Sequence, residues 1–256
     1  EDVQILSGEL VQNGDFEEIG SEEVTNGNFD TDLSGWTYSS GVTWSSGKAE
    51  INALDGAFKY IQQLITSSGT KIYKISFDIS NIQGVVQLII NNSVVSEKNT
   101  NGTFEVYHTV TTTNPTIQFK RKVGTNTFFE LDNVSVKEVG QNWNFHSGWN
   151  MGDGVALVNN TPSGRQIYQS LLTIGKSYSA TFEIKSITEG GFKLLFGGGA
   201  ITSDNFNTVG VHTVDFVATA DRFGVRTIST TTGSIDNISL LEITDDTDIP
   251  RIDYTS

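Results

Sequence analysis

Three histidines, no cysteine and a large stock of aromatic and amide side chains set the chemistry open to this 256-residue chain. Without cysteine there is no thiol nucleophile, no disulfide and no Cys-ligated zinc. No Gly-x-Ser-x-Gly turn accompanies His108, His146 or His212, which excludes a serine hydrolase of the nucleophile-elbow type. Gly197-Gly198-Gly199 lacks the Lys-Ser/Thr continuation and helix of a phosphate loop. Recognition is a further chemistry that these side chains allow. An aromatic face stacks on the apolar face of a sugar ring, and planar amides hydrogen-bond its hydroxyls. Tyr38, Tyr60, Tyr107, Trp143, Tyr168 and Phe192 stand in loops or polar strand contexts, with Gln62, Gln63 and Gln169 nearby. Tyr38, Tyr60, Gln62, Trp143, Tyr168 and Gln169 form the expected sugar-contacting set. The alternative is ordinary cross-strand pairing on a sheet face. Trp36 and Trp149 read as plugs between two sheets, and Trp44 as core edge.

Charge sets further bounds. A net charge of −14 argues against nucleic acid, which asks for a basic footprint. No apolar run approaches the roughly 18 residues of a membrane span, so insertion into a bilayer is not expected. The eight acids of residues 1–23 meet no base, and four acids after Thr244 meet only Arg251. Both ends therefore read as solvated acidic segments, an arm over 1–23 and a linker over 244–256. Lys120-Arg121-Lys122 is the one basic run and reads as a charged strand edge. Arg226 holds a similar place later in the chain and is a candidate contact for an anionic sugar. A chain opening at Glu1 without Met reads as a processed or excised piece.

The elements that must position these residues are duplicated. Ser34-Gly35-Trp36 recurs as Ser147-Gly148-Trp149, Gly47–Asn52 as Gly154–Asn159, and Gln62–Thr66 as Gln169–Thr173. Lys71–Ile79 recurs as Lys176–Ile184, and Leu131–Val139 as Ile235–Ile243. Five matches in one order mean two copies of one domain, 24–139 and 140–243. Apolar residues alternate with polar ones along Tyr73-Ile75-Phe77-Ile79 and Tyr178-Ala180-Phe182-Ile184, which is the strand period. Turn-forming Gly, Asn and Ser recur about every 8–12 residues. The class is all-β: two consecutive antiparallel β-sandwiches. Glycoside hydrolysis needs only two carboxylates, which composition does not exclude, but duplicated small β modules are seldom catalytic. The chain reads as non-catalytic.

Val24–Asp30, Ser34-Gly35-Trp36, Gly47–Ile51 and the closing Leu131–Val136 together resemble jelly-roll carbohydrate-binding modules of the family 4/9/22 type. The likeness spans 24–139 and extends over 140–243, which opens on Gln141–His146. Leu10–Glu17 resembles a third copy of the opening strand with no domain behind it. Thr247–Tyr254 is similar to a segment of phage and prophage tail or head-fibre proteins. The resemblance implies a jelly-roll fold and a non-catalytic segment of a virion or extracellular appendage. That segment binds a host-surface or extracellular glycan as a homo-oligomer, for fibres a trimer. A structural spacer that binds no sugar is the other reading it allows. It also implies a structural calcium ion tying the first strand to the last, at motif positions Asp30, Glu50 and Asp132. At the matching places of the second copy the sequence aligns His146 and Leu157 and keeps only Asp236, so calcium is expected in the first copy alone.

Overall fold

A computed structural model describes residues 3–197 and 203–244. Among them every regular element is a β-strand, and no helix is long and apolar enough to cross a membrane. The chain forms two compact units. Ile19–Val139 make one, the inserted domain; residues up to Glu18 and from Gly140 on make the other, the split domain.

In the inserted domain one sheet orders β3 (Val42–Ser45), β4 (Lys48–Ala53), β11 (Thr127–Val139), β6 (Lys71–Gln83) and β9 (Gly102–Val110), with β1 (Ile19–Glu22) also paired to β11. The second sheet orders β2 (Thr37–Tyr38), β5 (Tyr60–Leu64), β10 (Thr116–Arg121), β7 (Val86–Ile90) and β8 (Ser93–Lys98). All pairs are antiparallel. Alternation sends Tyr73, Ile75, Phe77 and Ile79 inward from β6 to meet Ile117 and Phe119 of β10 in one core. Phe77 and Phe119 meet edge to face at 4.9 Å, and burying each ring contributes about 2–3 kcal/mol.

The split domain repeats this plan. One sheet orders β13 (Trp149–Gly152), β14 (Val155–Thr161), β20 (Thr231–Ile243), β16 (Ser177–Glu189) and β18 (Gly210–Val217). The other orders β12 (Asn144–Phe145), β15 (Gln166–Ser170), β19 (Arg222–Thr227) and β17 (Phe192–Leu195). Both domains are thus antiparallel β-sandwiches.

The N-terminal segment corrects the expectation of a solvated arm over 1–23. Residues 3–18 run along β20, with Thr244 N–H bonding to Gln4 O, Leu6 N–H to Glu242 O, Leu10 N–H to Leu240 O and Ile238 N–H to Gly14 O. Val11 and Phe16 are buried. Glu9, counted as a solvated acid, accepts the Leu240 amide at 2.9 Å and the Ser239 hydroxyl at 2.5 Å. In the inserted domain Glu22 does the same for Val136 and Ser135, both at 2.6 Å. The supposed orphan opening Leu10–Glu17 therefore does have a domain behind it, reached only after 121 intervening residues, Ile19–Val139. Net charge hid this because Glu9 and Glu22 accept hydrogen bonds from the closing strands. The acidic linker from 245 on lies outside the described residues.

The Asn-Gly of each opening has a steric cause. A Cβ on Gly27 would run into the Val134 carbonyl, and one on Gly14 into that of Ile238. Asn26 and Asn13 hold φ at 52° and 51°, the left-handed region that Asn tolerates.

Candidate functional site

The outward face of the β2-β5-β10-β7-β8 sheet gathers the polar residues that the core does not take. Register places Gln62 of β5 beside Thr37 on one side and Gln118 on the other, with Ile89 of β7 beyond. One step along, Tyr60, Lys120 and Gln87 form the next row, ending on Glu97 of β8. Gln118 Nε2 donates to Gln62 Oε1 at 2.6 Å, and Gln87 Nε2 donates to Glu97 Oε1 at 2.7 Å. The Gln62–Gln118 pair leaves further amide donors and acceptors for a ligand, since an amide side chain offers four sites, whereas Gln87 is buried and serves to hold Glu97. Phe58 is 52% exposed, tilts against Tyr60 at 5.5 Å and carries Lys120 Nζ 5.6 Å from its ring. Gln62, Gln118, Ile89, Asn91 and Asn92 line a depression of about 210 Å³. Its rim is the Asn91-Asn92 turn of the β7–β8 hairpin, both residues at positive φ. The face can hold an extended polar ligand by amide hydrogen bonds, with an aromatic edge at one end.

Of the expected set, Tyr60 and Gln62 lie together on this face, and four residues do not join it. Tyr38 is 46% exposed, but it pairs with the inward Ile61 and so leaves the β2 edge on the opposite side from Gln62. Trp143 is only 7% exposed, meets Phe16 at a tilt with ring centres 5.5 Å apart and donates its indole N–H to Asn13 O at 2.8 Å. Gln169 is 4% exposed and closes a two-way bond with the Gln12 backbone, at 3.2 Å and 2.7 Å. Both are structural ties that hold the N-terminal segment in the split domain. Trp36 with Asn26 and Gln63 with Thr25 make the same ties in the inserted domain. Trp143, not Trp149, is therefore the counterpart of Trp36, and the apparent Ser-Gly-Trp repeat is out of register. Tyr168 lies on the split domain's own β15, where its ring is already engaged. Phe192 is buried and Tyr107 sits on β9 of the other sheet.

Gln118, Gln87, Phe58, Asn91 and Asn92 were missed. The signal for Gln118 was present, since Thr116, Gln118 and Lys120 alternate with Ile117 and Phe119. Gln87 sits inside an apolar run, where period alone could not set its face.

Of the expected calcium ligands, Asp30 acts electrostatically on Asp132, and Glu50 stands on β4. Glu50 faces Glu130 across β4–β11, and Glu130 is taken by Lys48 at 2.9 Å and Asn81 at 2.7 Å. Asp132 sits at a bulge in β11, where it accepts the Asn133 amide at 2.7 Å. Its own burial pushes its carboxyl above the usual range, and Asp78 and Asp30 add to that. Among the described residues no group of three or more His, Asp or Glu is placed to hold a metal ion. The expected asymmetry narrows to one place, Leu157 standing where the inserted domain has Glu50. Asn237 bonds to Glu183 as Asn133 does to Asp78, both at 2.8 Å. Asp236 is likewise pushed up, by burial first, with Glu183 and Glu17 adding. The counterpart of Asp30 is therefore Glu17, not His146. Millimolar calcium is expected to leave both unfolding transitions in place by scanning calorimetry; a rise of several degrees in either would restore the ligand set.

No protein-family model matches the chain, and no curated protein does. Solved structures similar to it include the N-terminal CBM22-1–CBM22-2 tandem domain of Xyn10C from Paenibacillus barcinonensis, at 10% identity over 88% of this chain and 98% of that one, with a TM-score of 0.33. A Paenibacillus xanthan lyase aligns at 15% identity over 86% of this chain and 25% of that one, TM-score 0.30. The M60 catalytic domain with the CBM51-1 and CBM51-2 domains of Clostridium perfringens ZmpB aligns at 6% over 89% and 38%, TM-score 0.24. At these identities and scores no residue role is carried across.

Proposed function

We propose that the chain is a non-catalytic glycan-binding segment and that the outward face of the β2-β5-β10-β7-β8 sheet is its principal contact surface. The observation that carries this is the Thr37–Gln62–Gln118 row beside Tyr60 and Lys120. Amides in register along a sheet meet the repeating hydroxyls of a saccharide, and the Phe58–Tyr60 edge offers an apolar seat for a ring. In this reading the parent protein is an extracellular or virion appendage, and display as a homotrimer multiplies weak sites.

Affinity electrophoresis of the full chain through gels holding xylan, mixed-linkage glucan or other neutral polysaccharides tests the reading. At least one is expected to retard the protein. Gln62→Ala with Gln118→Ala is expected to weaken that retention about tenfold or more, one to two hydrogen bonds being worth roughly 1–2 kcal/mol. Retention unchanged in the double variant would move the site elsewhere, and none on any glycan would leave the chain a spacer.

A further inference from the structure

The matching sheet of the split domain differs from this face in charge. None of its strands, β12, β15, β19 and β17, contains an Asp or Glu. Its outward positions carry Lys193, Arg222 and Arg226, and Arg165 directly precedes β15. Register aligns Arg226 between Gln166 and Lys193, and Gly224 opposite Tyr168. The counterparts in the inserted domain follow from the same pairings. Lys120 corresponds to Arg226, Gln87 to Lys193, Thr116 to Arg222, Gln118 to Gly224 and Gln62 to Tyr168. Two neutral places have become cationic.

The geometry concentrates this charge. Arg222 and Arg226 flank Gly224 on β19, and a Cβ there would stand 2.8 Å from Tyr168 Cβ, so glycine lets the Tyr168 strand close in between the two arginines. The Arg222 guanidinium lies 4.6 Å over the Tyr168 ring, and His146 meets that ring at 6.0 Å, nearly perpendicular. One ring face is therefore already covered, which disfavours simple sugar stacking and leaves the guanidinium groups to lead. Burial first, then Arg165, Arg222 and Arg226, hold the His146 imidazole below its ordinary range. Three of the five arginines of this acidic chain thus act on one point. Arginine's planar fork matches a carboxylate or sulfate with two parallel bonds, which a lysine cannot do.

We propose that the outward face of the β12-β15-β19-β17 sheet binds an anionic saccharide, with Arg222 and Arg226 holding its acidic group and Lys193 and Arg165 at the sides. This rests on the glycan-binding reading and adds a second ligand class to it: neutral sugar on the inserted domain, acidic sugar on the split one.

The test uses the full chain in affinity gels containing polygalacturonate, chondroitin sulfate, a neutral polysaccharide or single-stranded DNA. Polygalacturonate or chondroitin sulfate is expected to retard the protein, less so as salt rises, and whichever does so names the anion. Arg222→Gln with Arg226→Gln is expected to weaken that retention tenfold or more and to leave retention on the neutral polymer unchanged. Arg222→Lys with Arg226→Lys keeps the charge and the fold, and should recover only part. Lys176→Gln with Lys185→Gln removes equal charge from the other sheet and should change nothing. Retention on the neutral polymer alone would overturn this inference and leave the proposed function standing; retention on none would end both. Equal loss in the lysine control, or Arg-dependent retention on DNA without any on acidic sugar, would also overturn it.

Discussion

Removing residues up to Glu18 is expected to unfold the split domain and leave the inserted one intact. The deletion takes Phe16 and Val11 out of the core and strips β20 of its bonds to Gln4, Leu6, Leu10 and Gly14. It also leaves the Trp143 indole N–H and the Gln169 amide buried without their partners, Asn13 and Gln12. Phe16→Ala alone should cost about 3–5 kcal/mol, the usual range for a large buried ring, and a buried donor left unmet adds about 1–3 kcal/mol. Against a total stability of roughly 5–15 kcal/mol the deletion is not survivable. Scanning calorimetry of the full chain should show two transitions and of the deletion one. Limited proteolysis of the deletion should spare Ile19–Val139 and cut beyond Gly140. Two transitions in the deletion would mean that residues 140–244 close their sandwich without the N-terminal strand.

Gly27→Ala is expected to act on the other domain. The new methyl meets a backbone oxygen, that of Val134, which cannot swing away as a side chain would. Relief requires breaking the Val134 N–H to Gly27 O bond of 2.8 Å, and with it the seat of Phe29 against Trp36 at 5.4 Å. Overpacking of this kind costs about 1–3 kcal/mol, and more where backbone must move. Urea unfolding should show the transition of the inserted domain moved to lower denaturant and that of the split domain unmoved. Gly14→Ala, facing Ile238 O, should give the mirror result. The pair tests the correspondence of the two openings directly, since a sequential pair of domains behind a solvated arm would leave Gly14→Ala without effect.

The local features of this chain were legible from its residues. Alternation along Lys71–Gln83 and Ser177–Glu189 required strands, Asn and Gly marked the turns, and the recurring Leu131–Val139 and Ile235–Ile243 segments announced two copies of one sandwich. Tyr60 and Gln62 were found because an aromatic ring beside amide side chains is the chemistry of sugar recognition. Three things needed the tertiary structure. The pairing of residues 3–18 with β20 spans more than 220 positions, and no local period carries information about a partner so distant. The roles of Trp143 and Gln169 followed from that same pairing, because an indole N–H or an amide reads alike in a groove and in a core until its partner is known. The meeting of Arg165, Lys193, Arg222 and Arg226 depends on which strands lie side by side, a matter of register rather than composition. A net charge of −14 describes the whole surface, whereas a ligand meets the few side chains that neighbouring strands bring within reach.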